Sequence, residues 1–191
     1  MRYACDAQGA CPRLVDEDKL RLLNYQSNQI RTIQNLDGLP NLIFLDLYNN
    51  RIERVAGLDR VQGLRVLMLG KNRLTAIENL DGLTRLDVLD LHSNQISEVE
   101  RLSHLSALRV LNLAGNRIAR LQGVEGLVSL TELNLRRNVL SSMGDLSGLV
   151  SLQRLFLSHN QMRTYLSRSS VLFAMLKPSR ACRLAYLTAL I

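Results

Sequence analysis

The sequence predicts an α/β solenoid of about seven stacked 22-residue coils. Each coil gives one strand to a parallel sheet on the concave face and returns through a short 3₁₀ or helical segment on the convex face. Three observations predict this. Asparagine recurs at Asn28, Asn50, Asn72, Asn94, Asn116, Asn138 and Asn160, in steps of 22 with no insertion or deletion. Eight residues ahead of each stands a leucine: Leu20, Leu42, Leu64, Leu86, Leu108, Leu130 and Leu152. Two residues after each stands Ile30, Ile52, Leu74, Ile96, Ile118, Leu140 or Met162. A unit this short cannot bury its own leucines, whereas a stack of units buries them in one continuous core.

The elements follow from one unit, "LDVLDLHSNQI" at residues 86–96. Leu89-Asp90-Leu91 alternates with period two, the pattern of a strand with one buried face. From Ile96 the apolar residues fall every third position (Val99, Leu102, Leu105), which predicts the tight 3₁₀-like or short helical return. Between the two the chain must turn, leaving backbone groups that no ladder satisfies. A buried asparagine amide offers both a donor and an acceptor, so the asparagine column is predicted to be structural.

The ends are less regular. Cys11 and Leu14 stand 22 residues before Ile33 and Leu36, in register with the returns. Residues 1–19 therefore read as an N-terminal extension or partial cap, with Asp16, Glu17 and Asp18 keeping it polar, and 20–165 as the repeat domain. Beyond that Arg168 replaces a leucine, and Lys177 and Ser179 stand where an eighth unit needs leucines. Three readings of 166–191 stay open: a divergent cap with Val171, Leu172, Met175 and Leu176 on one helical face before Lys177-Pro178 breaks it, a linker to further chain, or an out-of-frame end.

Composition narrows the class. The chain has 191 residues, 47% hydrophobic and 21% charged, which fits a folded domain rather than a disordered one. With 4% aromatics and no tryptophan, its core must be aliphatic. Cys5, Cys11 and Cys182 lack metal-ligand spacing and have no evident pairing, as expected in a reducing compartment. The opening "MRYACDAQGACPR" lacks the apolar stretch of a secretory signal, and no run approaches the roughly 20 apolar residues that span a bilayer. The expectation is a soluble cytoplasmic protein. The net charge of +7 is not spread evenly: every acidic residue lies at or before Asp145, and Arg154, Arg163, Arg168, Lys177, Arg180 and Arg183 lie beyond it.

Catalysis finds little support. The three histidines, His92, His104 and His159, form no two-histidine metal spacing and no Ser/His/Asp or Cys/His set. "LGKNR" at residues 69–73 lacks the remainder of a phosphate-cradling loop. No catalytic residue, metal or cofactor is expected. The outward strand positions say more. One column reads Leu22, Phe44, Val66, Val88, Val110, Glu132, Arg154; the next Asn24, Asp46, Met68, Asp90, Asn112, Asn134, Phe156; the third Gln26, Tyr48, Gly70, His92, Ala114, Arg136, Ser158. β-Branched residues here would also serve strand geometry alone. Large side chains on a concave wall make a binding surface. The predicted protein-binding residues are Phe44, Asp46, Tyr48, Val66, Met68, Val88, Asp90, His92, Val110, Asn112, Arg136, Arg154 and Phe156. Asp46, Asp90 and Asn112 are expected to set orientation, and Arg136, Arg137 and Arg154 either meet an acidic partner or are solvated charge.

The unit L-x-x-L-x-L-x-x-N-x-I over residues 20–165 resembles the leucine-rich repeat family, in particular its 22-residue class typified by a phosphatase-1 regulatory subunit. "CPRLVDEDKLRLLNYQSNQI", "LDLYNN", "LRVLMLGKNR" and "LDVLDLHSNQI" are similar to the leucine-rich-repeat subunits of tubulin polyglutamylase complexes, which are non-catalytic and associated with ciliary and centrosomal microtubules. The resemblance implies an interaction scaffold in a tubulin-modifying or other microtubule-associated assembly, with cytoskeletal, ciliary or basal-body placement. A regulator docking on a protein phosphatase 1 catalytic subunit is the alternative within the class. A nucleic-acid-binding module would need basic residues interleaved with stacking aromatics on one face, and the wall is apolar and acidic in its first five coils.

Overall fold

The computed structural model describes residues 9, 11–14 and 17–162. Seven strands, β1 Leu22–Asn24, β2 Phe44–Asp46, β3 Val66–Met68, β4 Val88–Asp90, β5 Val110–Asn112, β6 Glu132–Asn134 and β7 Arg154–Phe156, form one sheet in sequence order. All pairs are parallel, and the register is the repeat itself: Leu22 pairs with Phe44, Val66 with Val88 and Glu132 with Arg154. The middle residue of each strand faces inward, so Leu23, Leu45, Leu67, Leu89, Leu111 and Leu133 are fully buried in a single core. Tyr25 takes a leucine's place in the next inward column, and its hydroxyl donates to the Pro12 carbonyl at 3.3 Å. Cys11 is buried in the same core. At the other end Leu152, Leu155, Leu157 and Met162 are only partly buried.

The helical returns are not there. The described residues contain no helix, so this is an all-β solenoid and not an α/β one with 3₁₀ or helical returns. The spacing by threes does bury its apolar residues: Ile30, Ile33, Leu36, Leu39 and Leu42 all lie in the core. Their i to i+3 hydrogen bonds come singly, however. Leu39 N–H reaches the Leu36 carbonyl and Leu42 N–H the Leu39 carbonyl, with no such bond from the amides between. A helix needs consecutive bonds. In five of the six returns a residue one turn earlier (Asn35, Gly57, Asn79, Arg101 or Gly123, again 22 apart) takes a φ of 57–69°; the sixth, at Asp145, does not and is no more helical. A left-handed residue in mid-return ends any right-handed helix. A second such column, from Ser27 to His159, turns the chain just before each asparagine.

The asparagine side chains tie each coil to the one before. Asn94 Oδ1 accepts the Leu74 N–H at 3.0 Å, while its Nδ2 donates to Leu91 O in its own coil at 2.9 Å and to Leu69 O in the preceding coil at 3.0 Å. Asn50, Asn72, Asn116 and Asn138 repeat the pattern, each nearly buried. Asn160 keeps all three bonds at a more exposed position. A sparser ladder crosses the returns: Asn35 Nδ2 donates to Cys11 O at 2.8 Å, Asn79 Nδ2 to Val55 O at 2.6 Å, and His104 Nε2 lies 3.1 Å from Leu80 O. No described helix is long and apolar enough to cross a membrane. The region 166–191, with its three readings, lies outside the described residues.

Candidate protein-binding face

Because register equals repeat, residues 22 apart in sequence become neighbours across the outer face of the sheet, the wall expected to be concave. Phe44, Val66, Val88 and Val110 form a continuous half-buried apolar row, extended at one end by Leu22, which is 50% exposed. The row stops at Glu132 and Arg154, which pair with each other at 2.7 Å.

The second column has a duty that spacing alone did not reveal. Asn24, Asp46, Asp90, Asn112 and Asn134 each turn Oδ1 back to accept the N–H two residues on, at 2.8–3.2 Å. These bonds hold the strand exit, as aspartate and asparagine commonly do in turns. Met68 and Phe156 interrupt the column, and with them the face gains two large side chains that cap nothing. Asn or Asp at most positions of one 22-residue column was the available signal.

Around β3 and β4 the third column builds a cluster. His92 Nδ1 lies 2.7 Å from Asp90 Oδ1, and its ring stands 5.6 Å from the Tyr48 ring two coils away. Gly70, in the coil between, makes this possible: a Cβ there would lie 2.5 Å from His92 Nδ1. Lys71 Nζ sits 5.2 Å from the centre of the Tyr48 ring, and the Arg136 guanidinium 4.3 Å from that of Phe156, both cation–π contacts. The structure thus brings Tyr48, Asp90 and His92 together, and separately Arg136 and Phe156. Of the three expected basic residues, Arg154 is held by Glu132, Arg136 lies on Phe156, and Arg137 forms no ion pair among the described residues.

Two bidentate ion pairs were not foreseen. Arg109 grips Asp87 in the preceding coil, with Nη2 2.7 Å from Oδ2, and Arg54 grips Glu78 with Nε 2.8 Å from Oε1. The hydrogen bond from Arg109 holds the Asp87 carboxyl below its ordinary range against a partial desolvation that raises it. The bond from Arg54 does the same for Glu78. Asp87 and Arg109 share a column, so the step of 22 made that pair legible.

None of this is catalytic geometry. No group of three or more His, Cys, Asp or Glu able to hold a metal occurs among the described residues, and no described hydroxyl or thiol hydrogen-bonds to the His92 ring. A leucine-cored stack of strands with an asparagine ladder defines a class of repeat protein by itself. The sequence matches the family models for leucine rich repeats over residues 18–60, 62–118 and 120–162, and the chain belongs to the leucine-rich repeat family, one of protein-binding scaffolds and not of catalysts. A 52-residue stretch, 27% of the chain, is 52% identical to human leucine-rich repeat-containing protein 49, of which it spans 8%. Among solved structures, an internalin (inlF) from Listeria monocytogenes aligns with a TM-score of 0.70 at 30% identity, covering 82% of this chain and 46% of that one. Internalin C2 from the same organism gives 0.70 at 29% over 80% of this chain and 67% of its own. A toll-like receptor in a TLR13–ssRNA13 complex gives 0.73 at 28% over 78% of this chain and 23% of that one.

Proposed function

We propose that the chain is a non-catalytic scaffold that captures a partner protein on the outer face of its sheet. The observation that carries this is the row Phe44, Val66, Val88 and Val110 with Leu22, flanked by Tyr48, Met68 and Phe156. Apolar side chains five coils long stay partly open to solvent in a protein whose inward positions are otherwise filled. A contiguous apolar patch rimmed by polar residues is the usual form of a protein interaction site. Asp90, His92, Asn112, Arg136 and Arg154 form its polar frame.

The finer reading is a subunit of a tubulin-modifying, polyglutamylase-type assembly on ciliary or other microtubules. It is supported by the phrases "LRVLMLGKNR" and "LDVLDLHSNQI" and their like. Affinity capture from ciliated cells, with partners identified by mass spectrometry, tests both levels. The expected result is recovery of polyglutamylase components by the wild-type protein and their loss from Phe44→Asp with Val88→Asp. Recovery of a phosphatase 1 catalytic subunit instead would replace the finer reading. Retention of partners by the double variant would remove the binding site from this face.

A further inference from the structure

Resting on that reading, we infer that the segment seated on the sheet is an acidic amphipathic helix. The charge on the wall is lopsided in a way its net value hides. At the N-terminal edge of the strands, Arg21 and Arg65 are exposed and make no direct ion pair among the described residues, Arg65 lying near an Asp87 that Arg109 already holds. At the C-terminal edge Lys71, Arg136 and Arg137 likewise have no carboxylate within ion-pair distance, and two of them rest on aromatic rings. Of the four carboxylates on the wall, two are neutralised by arginine and two keep their charge but are held by hydrogen bonds at the centre of the face. Asp87 is gripped by Arg109 and Glu132 by Arg154. Asp46 accepts the Tyr48 N–H, and Asp90 accepts the His92 N–H and touches its ring nitrogen. Two edges of unpaired cation therefore bracket an apolar row, and the complement is a body with an apolar stripe and acidic flanks.

The dimensions favour a helix. Five parallel strands at about 4.8 Å spacing carry the row over roughly 19 Å. An α-helix crossing them rises about 5.4 Å per turn, so a residue every third or fourth position meets successive strands over about 13 residues. The two basic edges lie about 16 Å apart, five residues at about 3.3 Å, which brackets a helix about 10–12 Å across. Single-stranded RNA would use the same cations, but it needs open aromatic faces for stacking. Here the row is aliphatic apart from Phe44, and Tyr48 and Phe156 are already covered by Lys71 and Arg136.

The test uses fluorescein-labelled peptides of about four helical turns, leucine on one stripe and either glutamate or lysine on both flanks, followed by anisotropy against the full chain. The glutamate peptide should bind at least tenfold more tightly than the lysine peptide and weaken with salt. Arg65→Glu with Arg136→Glu should lower its affinity at least tenfold while circular dichroism and a cooperative unfolding transition show the chain still folded. Equal binding of the two peptides, indifference to the charge reversals, or a uridine-rich single-stranded RNA displacing the glutamate peptide at lower concentration would overturn the inference. Absence of peptide binding, with partner capture still lost in the Phe44→Asp, Val88→Asp protein, would sink the helix and leave the binding face standing. Capture retained by that variant would remove the face itself.

Discussion

Replacing Asn94 with alanine removes one acceptor and three donations from the middle of the ladder, and the structure shows which losses matter. The longest donation goes to the His92 carbonyl, which keeps the Lys71 N–H. Leu69 O keeps the bond from Asn72 Nδ2 at 3.0 Å, and Leu91 O keeps the one from Asn116 Nδ2 at 3.0 Å. The Leu74 N–H has no second acceptor and is left buried and bare. One orphaned buried donor costs about 1–3 kcal/mol, and two carbonyls reduced to a single bond add to it, so the change should cost about 2–3 kcal/mol. In a domain of this size that is a fall of roughly 5–10 °C in thermal midpoint. Asn94→Asp should be at least as damaging. It keeps the acceptor for Leu74 but turns a carboxylate oxygen toward the Leu69 and Leu91 carbonyls. Asn160→Ala, at the more exposed end, should cost less than Asn94→Ala. Urea and thermal unfolding of the three variants beside His92→Ala would measure the order. Equal, small effects for Asn94→Ala and His92→Ala would refute the structural role of the column.

Further outcomes follow from the same geometry. A Cβ at Gly126 would sit on the Ser103 carbonyl, backbone that cannot swing aside, so Gly126→Ala should cost about 3 kcal/mol. At Gly63 the nearest atom is 3.6 Å away, and alanine there should be neutral or stabilise by about 0.5 kcal/mol in the same unfolding assay. Gly70→Ala should push His92 away from Tyr48 with little loss of stability, and a double-mutant cycle with His92→Ala should show the two effects to be non-additive. Asp87 has a folded-state pKa below its unfolded one, so its contribution is complete above the unfolded value and falls away as pH drops through the lower folded value. Asp87→Asn should therefore lower stability modestly at neutral pH and leave the acid end, where the carboxyl is already protonated, little changed, so that the acid limb flattens.

The sheet was legible because strand, core and asparagine all obey one unbroken step of 22, and a parallel register is the only way to stack identical coils. The returns were misread because a spacing of three describes which side chains point inward, not how the backbone gets there. Part of the answer was in view as a column rich in Asn and Gly (Asn35, Gly57, Asn79, Gly123), the types that tolerate positive φ. The apolar row was legible for the same reason as the core. The turn-holding bonds of Asp46, Asp90 and Asn112 were not, since an outward aspartate reads equally well as a ligand contact or a cap. Nor was the Tyr48–His92 contact, which depends on what Gly70 lacks.

The central claim is that a partner sits on the outer face of the strands. A photo-crosslinking residue at Val88, in the middle of the row, and another at Val150, 68% exposed in the last return, put it to the most direct test. The account predicts covalent capture of the partner from position 88 and none from position 150. Crosslinking from 150 with none from 88 would contradict it.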